Sequence, residues 1–408
     1  MPEAVIVATG RSPIGRANKG SLVDCRPDDL LAHIVTEVLK KIPALDPSTV
    51  EDFIVGCGQP AGEAGYNIAR VAAVMAGLEV PGVTVNRYCS SSLQTIRMAA
   101  HAIRAGEGDV FVAAGIETVS RYVHGASDTG PHNPLFKDAE ARTATRSPAV
   151  TATRSPAGTD PWTPPAGLPD VYIAMGQTAE NVAEFEKVTR EEMDEFALIS
   201  QTRAVESQGN GFFEREIIPV TTPSGTVVTK DDGPRAGTTL EGLSQLKPVF
   251  REGGTITAGN ACPLNDGAAA VVVMSETRAA ALGITPMARI VASGVSALNP
   301  EIMGRGPVEA IRQTLKRAAM KIDDIDLVEI NEAFEAQVIP SARHLGIDWD
   351  KLNVRGCAIA LGHPFGQTGA RIMTTLLNAF EDADKTFGLE SMCVGGGQGM
   401  AMIVERLN

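Results

Sequence analysis

The chain has 408 residues, room for two or three domains at roughly 150 residues each. Hydrophobic residues make up 44% and charged residues 21%, so large cores can be buried and overall disorder is excluded. The net charge of −13 argues against a nucleic-acid binder, which needs cations to neutralise phosphates, yet leaves room for a small anionic ligand met by a few local cations.

MPEAVIVATGR carries an acid at position 3 and no basic stretch before its short apolar run, so it reads as a first strand from Ala4 to Ala8 and not as a signal peptide. DDLLAHIVTEVLKKI repeats apolar residues at helical spacing, and DFIVGC, VTV and DVFVAAG read as strands, with a helix from about Ser91 to Arg104 between the last two. From Ser120 to about Asp170 the chain is rich in Pro, Thr, Ser and Gly, and TATRSPA occurs twice, from Thr143 and from Thr151. Two helices follow, TAENVAEFEK with Thr178 as its expected cap, and TREEMDEFALISQTRAVESQ with a capping box from Thr189. GTVVTKDDGPRAG reads as a hairpin or loop.

The second half repeats the first. ARIVASG matches the first strand, GPVEAIRQTLKRAAMKI the first helix and DLVEI the strand DFIVG. A helix from about Gly369 to Phe380 precedes FGLESMCVGGG, and MAMIVERL closes as a strand. The pattern is α/β, with two similar halves about a pseudo-twofold axis and an insertion that covers a site. The expected division is residues 1–119 with 253–273, an inserted loop domain over 120–252, and 274–408. No apolar run reaches the roughly 18 residues of a membrane span. The six cysteines form no CxxC pair and no Cys/His cluster at metal-ligand spacing, so the expected setting is a reducing cytoplasm with free thiols and no metal.

Four segments carry candidate chemistry, all expected at the carboxyl ends of strands. In VTVNRYCSSSLQ, Cys89 stands where a strand turns into a helix. The positive helix end there would lower its pKa and favour a nucleophile; the plain alternative is a small buried hydrophobe. In NVRGCAIALGHPFGQTGAR, Gly362 and Pro364 flank His363, and a Cys–His pair is the minimum for an activated thiol. Cys393 precedes GGG, where bare amides can gather as an anion-binding nest, or is itself a buried hydrophobe. In VEINEAFEAQ, Asn331 could orient a water or polarise a carbonyl, or could cap a helix. GCGQPAG is one residue too long for a GxGxxG fingerprint and reads as a turn.

VNRYCSSSLQ, NEAFEAQ, NVRGCAIALGHPFGQTGAR and CVGGGQGMA together resemble the thiolases, and TAGNACPLNDGAAAVVVMSE and MGQTAENVAE look like further blocks of that family. The resemblance covers nearly the whole chain. It implies two duplicated βαβαβαββ halves in a five-layered α-β-α-β-α fold with an inserted loop domain. It also implies that Cys89 takes the acyl group, that His363 activates it, and that Cys393 exchanges a proton at the acetyl α-carbon. Asn331 would hold a water that completes one oxyanion hole with His363, and the N–H groups of Cys89 and Gly395 would form the other. Arg235 in KDDGPRAG resembles the arginine near the adenine and phosphate end of CoA, or is an ordinary loop arginine, and Met175 is expected to line the CoA site. CoA and acyl-CoA are then substrates, with no permanently bound cofactor, and a homodimer or homotetramer is expected.

The chain departs from the family pattern at Ser92, Glu335 and Cys357, where Gly, Ala and Gly are usual, and at Cys262-Pro263, where Ser-Gly is usual. Ala174 stands where the short-chain biosynthetic subgroup has His, so the chain resembles the degradative 3-ketoacyl-CoA thiolases of β-oxidation more than the acetoacetyl-CoA thiolases. A ketoacyl synthase would use two His, or His and Asn, and would lack the second cysteine. A non-catalytic acyl-CoA-binding protein would not need Cys89, His363 and Cys393.

Overall fold

The structure, a computed structural model, describes residues 2–144 and 162–408. Nearly all of the TATRSPA repeat lies outside those residues. The first half supplies strands β1 (Ala4–Arg11), β2 (Asp52–Cys57), β3 (Gly82–Val85), β4 (Val110–Thr118) and β5 (Asn265–Ser275) in the order β3-β2-β4-β5-β1. β2 runs parallel to β3 and β4, and β5 antiparallel to β4 and β1. The second half supplies β6 (Ala288–Ala297), β7 (Leu327–Ile330), β8 (Phe387–Val394) and β9 (Gln398–Arg406) in the corresponding order β7-β8-β9-β6. β7 is parallel to β8, and β9 antiparallel to β8 and β6. Where a counterpart of β3 would stand, the chain makes one parallel bridge, Val328 to Leu352. The halves join where the first strand of each meets the other, through Val5–Arg289 and Ile6–Ala288.

The layers follow from strand periodicity, since alternate side chains point to opposite faces. Along β5, Ala268, Ala270, Val272 and Met274 pack outward with Leu31, Val35 and Val38 of α1 (Pro27–Lys40), beside α2 (Ile68–Met75). Ala269, Val271 and Val273 point inward, with Leu93 and Ile96 of α3 (Ser91–Ala105). In the second half Met392, Val394, Met400 and Met402 face the same middle layer, while Leu389, Ala401 and Ile403 face outward. Sheets covered on both sides need apolar residues on both faces, which is why β5 reads as a continuous apolar run.

The inserted segment contributes α4 (Met175–Glu186) and α5 (Arg190–Gly209). The capping box at Thr189 with Glu192 forms as expected. Thr178 is not a cap: α4 starts three residues earlier at Met175, with Ala174 at the cap position, and the Thr178 hydroxyl donates to the Met175 carbonyl. Val227–Val228 pair with Val220–Thr221 as a short hairpin. Arg11 at the end of β1 is fully buried and donates to Glu216 at 2.8 Å and Asp231 at 2.7 Å, which fastens the insertion to the sheet.

The outer layer of the second half is α6 (Gly306–Ala318) and α7 (Glu335–Leu345), with Ile311, Leu315 and Val338 in its core. The middle layer is completed by α8 (Thr368–Ala383), whose Ile372 and Leu376 share the core of α3. The two central helices approach closely: a side chain added at Gly369 would stand 2.4 Å from the Leu93 nitrogen. Ser92, where the family usually has Gly, accepts the Ala370 N–H at 2.9 Å. That N–H belongs to the first turn of α8 and has no partner within its own helix.

Candidate active site

Three of the four segments lie at strand ends. Asn331 follows β7 directly, Cys393 is the penultimate residue of β8, and Cys89 follows β3 through a tight turn over Tyr88–Ser90. His363 does not: it lies in the loop between the short helix Ala358–Leu361 and the Phe365–Gln367 turn that leads into α8. The Phe365–Gln367 stretch and the end of β8 both pack on the Tyr88–Ser90 turn, which gathers the groups at one place.

The turn at Cys89 is held by its neighbours. Arg87 N–H donates to Ser91 Oγ at 2.9 Å and Tyr88 N–H to Asn86 Oδ1 at 2.8 Å. Tyr88 is forced to φ 42°, a left-handed conformation costly for a bulky residue. Burial raises the Cys89 thiol to about 11, against the N–H groups of Gly395 and of Cys89 itself, which are directed at the sulfur. The expected lowering by the helix end is therefore overturned: desolvation of a charged sulfur outweighs the amide dipoles.

At His363, Gly362 has φ 113° and a side chain there would stand 2.4 Å from the Asn265 side chain. Asn265 Oδ1 accepts the His363 N–H at 3.0 Å. Thr368 spends its single hydroxyl proton on the Pro364 carbonyl at 2.8 Å. Its oxygen can then only accept from His363 Nδ1–H, at 2.6 Å, which leaves Nε2 bare. Asn331 Nδ2 donates to that Nε2 at 3.4 Å. Burial, followed by the charge of Arg371, lowers the imidazole to about 3, so it is neutral at physiological pH. Asn331 does not cap α7, whose cap position is Phe334, and the Asn331 Oδ1 is buried with no hydrogen-bond partner among the described residues. Glu117 braces the loop from below, accepting Gly58 N–H at 2.7 Å, Gly366 N–H at 2.9 Å and the Tyr122 hydroxyl at 2.8 Å.

The Cys393 thiol donates to Gln337 Oε1, and Gln337 Nε2 donates to the Asn331 carbonyl at 2.9 Å. Burial raises this thiol well above its ordinary value, with further contributions from the sulfurs of Cys89 and Cys262 nearby. Gly396 and Gly397, at φ 76° and 78°, form the turn after β8. Sequence reasoning missed Thr368 and Gln337; both lie inside quoted motifs, but only hydrogen-bond direction shows what they do.

Glu335 is buried, with both carboxyl oxygens unpartnered among the described residues; burial, then Glu332, raises it well above the usual carboxylate range. Cys357 is also buried and accepts from Arg371 Nη2 at 3.2 Å. Arg235 is exposed, and its guanidinium makes no hydrogen bond or ion pair among the described residues. Its loop rests on the segment before His363, since a side chain at Gly233 would meet the Ala360 carbonyl at 2.0 Å. Met175 is half-buried in the outer cluster with Phe250 and Phe334.

Among the described residues no helix is long and apolar enough to cross a membrane. The family described as "Thiolase, N-terminal domain" matches residues 4–277, and "Thiolase, C-terminal domain" matches 284–406. The chain is 42% identical over 419 aligned residues to a β-ketoadipyl-CoA thiolase of Acinetobacter baylyi, covering 100% of both. It is 41% identical to a 3-ketoacyl-CoA thiolase of Bacillus subtilis, over 99% of this chain and 100% of that one. The crystal structure of the Bacillus anthracis acetyl-CoA acetyltransferase superposes with a TM-score of 0.84 at 37% identity, over 100% of this chain and 99% of that one. With both halves matched and its relatives aligned along their whole length, the chain belongs to the thiolase family.

Proposed function

We propose that this acyltransferase is a degradative 3-ketoacyl-CoA thiolase. The observation that carries the reading is the neutral His363 with a bare Nε2 in one buried site with two thiols. His363 takes the Cys89 proton as the sulfur attacks the 3-keto carbon. On collapse the C2–C3 bond breaks and its electron pair passes to C2 as the acetyl-CoA enolate, while His363 still holds the proton. Cys393 gives its proton to C2, which releases acetyl-CoA, and recovers one from His363, which is then neutral again. His363 takes the proton of the incoming CoA thiol as its sulfur attacks the acyl group and passes it to the Cys89 sulfur as that leaves, giving the shortened acyl-CoA. Every proton and electron pair is accounted for by protein groups and CoA, so the scheme calls for no permanent cofactor or metal.

The developing oxyanions have candidate donors. The N–H groups of Cys89 and Gly395 already point at the Cys89 sulfur, and the unpartnered Asn331 Oδ1 suits a water shared with His363. Arg235, exposed and unpaired among the described residues, is the candidate for the CoA phosphates, and Met175 is a second candidate for the CoA site. The edge strand β3 with half-exposed Val83, and Tyr66 at 98% exposure, favour a homodimer or a homotetramer built from it. The division into 1–119 with 253–273, 120–252 and 274–408, and a cytoplasmic setting, belong to the same reading.

Thiolysis rates across 3-ketoacyl-CoA substrates of rising chain length, with a carboxylate-ended one included, test it, and Cys89→Ala serves as control. Turnover of several longer substrates, abolished by Cys89→Ala, is expected. Turnover of acetoacetyl-CoA alone favours the acetoacetyl-CoA thiolase reading, and none at all favours a non-catalytic binder.

A further inference from the structure

We infer that Gln337 is the positioning residue that aims the resting Cys393 thiol and holds its proton in place. The inference rests on the reading of Cys393 as the group that exchanges a proton at the acetyl α-carbon. Gln337 sits in the first turn of α7 and is 1% exposed. Its Cβ packs against the bare backbone of Gly304, where an added Cβ would stand 2.9 Å from it.

The amide has only one consistent orientation. The Asn331 main-chain carbonyl can only accept, so the NH2 end must face it, and it does at 2.9 Å. The oxygen end is thereby turned to Cys393, and an amide oxygen can only accept. The sulfur must then supply the proton. Gln337 thus fixes the sulfur's place, parks its proton on one side and leaves its lone pairs on the other. Because Nε2 is held by the main chain of Asn331, the amide cannot swing after the sulfur. The same side chain thereby ties Cys393 to the segment that carries the partner of His363.

Two partial reactions separate this role from general support of the fold. Incorporation of deuterium at the α-carbon of acetyl-CoA in heavy water reads the Cys393 step: the thiol passes its proton to His363, the thiolate takes one from the α-carbon as the C–H electron pair enters the thioester as an enolate, and once the sulfur has exchanged with heavy water the reverse step delivers a deuteron. Exchange of acetyl groups between acetyl-CoA and labelled CoA reads the Cys89 step. Gln337→Leu keeps most of the volume and removes both hydrogen bonds. It is expected to slow hydrogen exchange by about tenfold or more and acetyl exchange by no more than about threefold. Gln337→Glu retains an acceptor for the thiol but repels the Asn331 carbonyl when ionised. Its hydrogen exchange, relative to acetyl exchange, should be low near pH 8 and recover as the pH is lowered and the carboxyl protonates.

Equal losses in both reactions, or no loss in either, would overturn the assignment. If Gln337→Leu fails to fold, Gln337→Glu decides: a ratio that stays flat with pH also overturns it. Cys393→Ala separates the two levels. If that variant still exchanges hydrogen, the reading of Cys393 fails; if it does not while Gln337→Leu exchanges normally, only the role of Gln337 fails.

Discussion

Cys89 and His363 are both held neutral by burial, one thiol raised to about 11 and one imidazole lowered to about 3. A thiolate–imidazolium pair is therefore not the resting state, and the proton moves only as the acyl carbon is attacked and the oxyanion donors come into use. The consequence is a nucleophile that is quiet without substrate. Alkylation of Cys89 by iodoacetamide, corrected with Cys89→Ala, should rise about tenfold per pH unit from about pH 7 to 9 without levelling, because the thiolate fraction stays small below the raised value. Levelling near about 8.5, the ordinary thiol range, would show that burial does not control this sulfur. Position in the sequence exposed Cys89 and His363 as candidates, but it suggested the opposite pKa direction for the cysteine. A strand-to-helix turn is readable from residue types; the depth at which the turn is buried is a product of two layers packing on it. Thr368 and Gln337 were illegible for a related reason, since their roles depend on which way a proton points.

At the scale of elements, the periodicity of the apolar residues carried most of the fold. The helix expected from about Ser91 to Arg104 spans Ser91–Ala105, and the one expected from about Gly369 begins one residue earlier and runs on to Ala383. Local polar signals were less dependable. Thr189 caps as read, whereas Thr178 lies within its helix, because Ala174 and Met175 open α4 earlier than the first strong polar cap suggested. His363 escaped the strand-end rule, since the second half replaces a third regular strand by a single bridge at Leu352. Ser92 shows how a departure from the family pattern is absorbed. It lies in the first turn of one central helix and serves a donor in the first turn of the other. Ser92→Gly loses that bond and loosens the helix start, so it should lower the unfolding free energy by about 1–2 kcal/mol. Chemical denaturation checks this, and an unchanged midpoint would mean that the bond adds nothing to holding α3 against α8.

At the scale of the molecule, a chain of net charge −13 must attract a substrate that carries several phosphates. Long-range attraction is unfavourable, so recognition has to be local and the free Arg235 should matter more than a single surface arginine in a neutral protein. Arg235→Glu should raise KM for CoA several-fold, by more than it lowers kcat, and added salt should narrow the gap between variant and parent. Equal KM values at low salt would move the phosphate contact elsewhere. The acidic composition alone showed that such a site had to be small, but the loop's distance along the chain from His363 hid their contact, which is made through Gly233 on Ala360.

The shared middle layer has a consequence for the order in which the chain is made. The inner face of the first sheet is covered partly by α3 and partly by α8, and α8 begins at residue 368 of 408. A ribosome therefore releases the first half long before the helix that finishes its core exists. During that interval Ala269, Val271 and Val273 have only half their covering, and a newborn chain is most exposed to sticking to its neighbours. Shelter by a chaperone, or by a second chain at the same stage, matters most while residues 276–367 are being made.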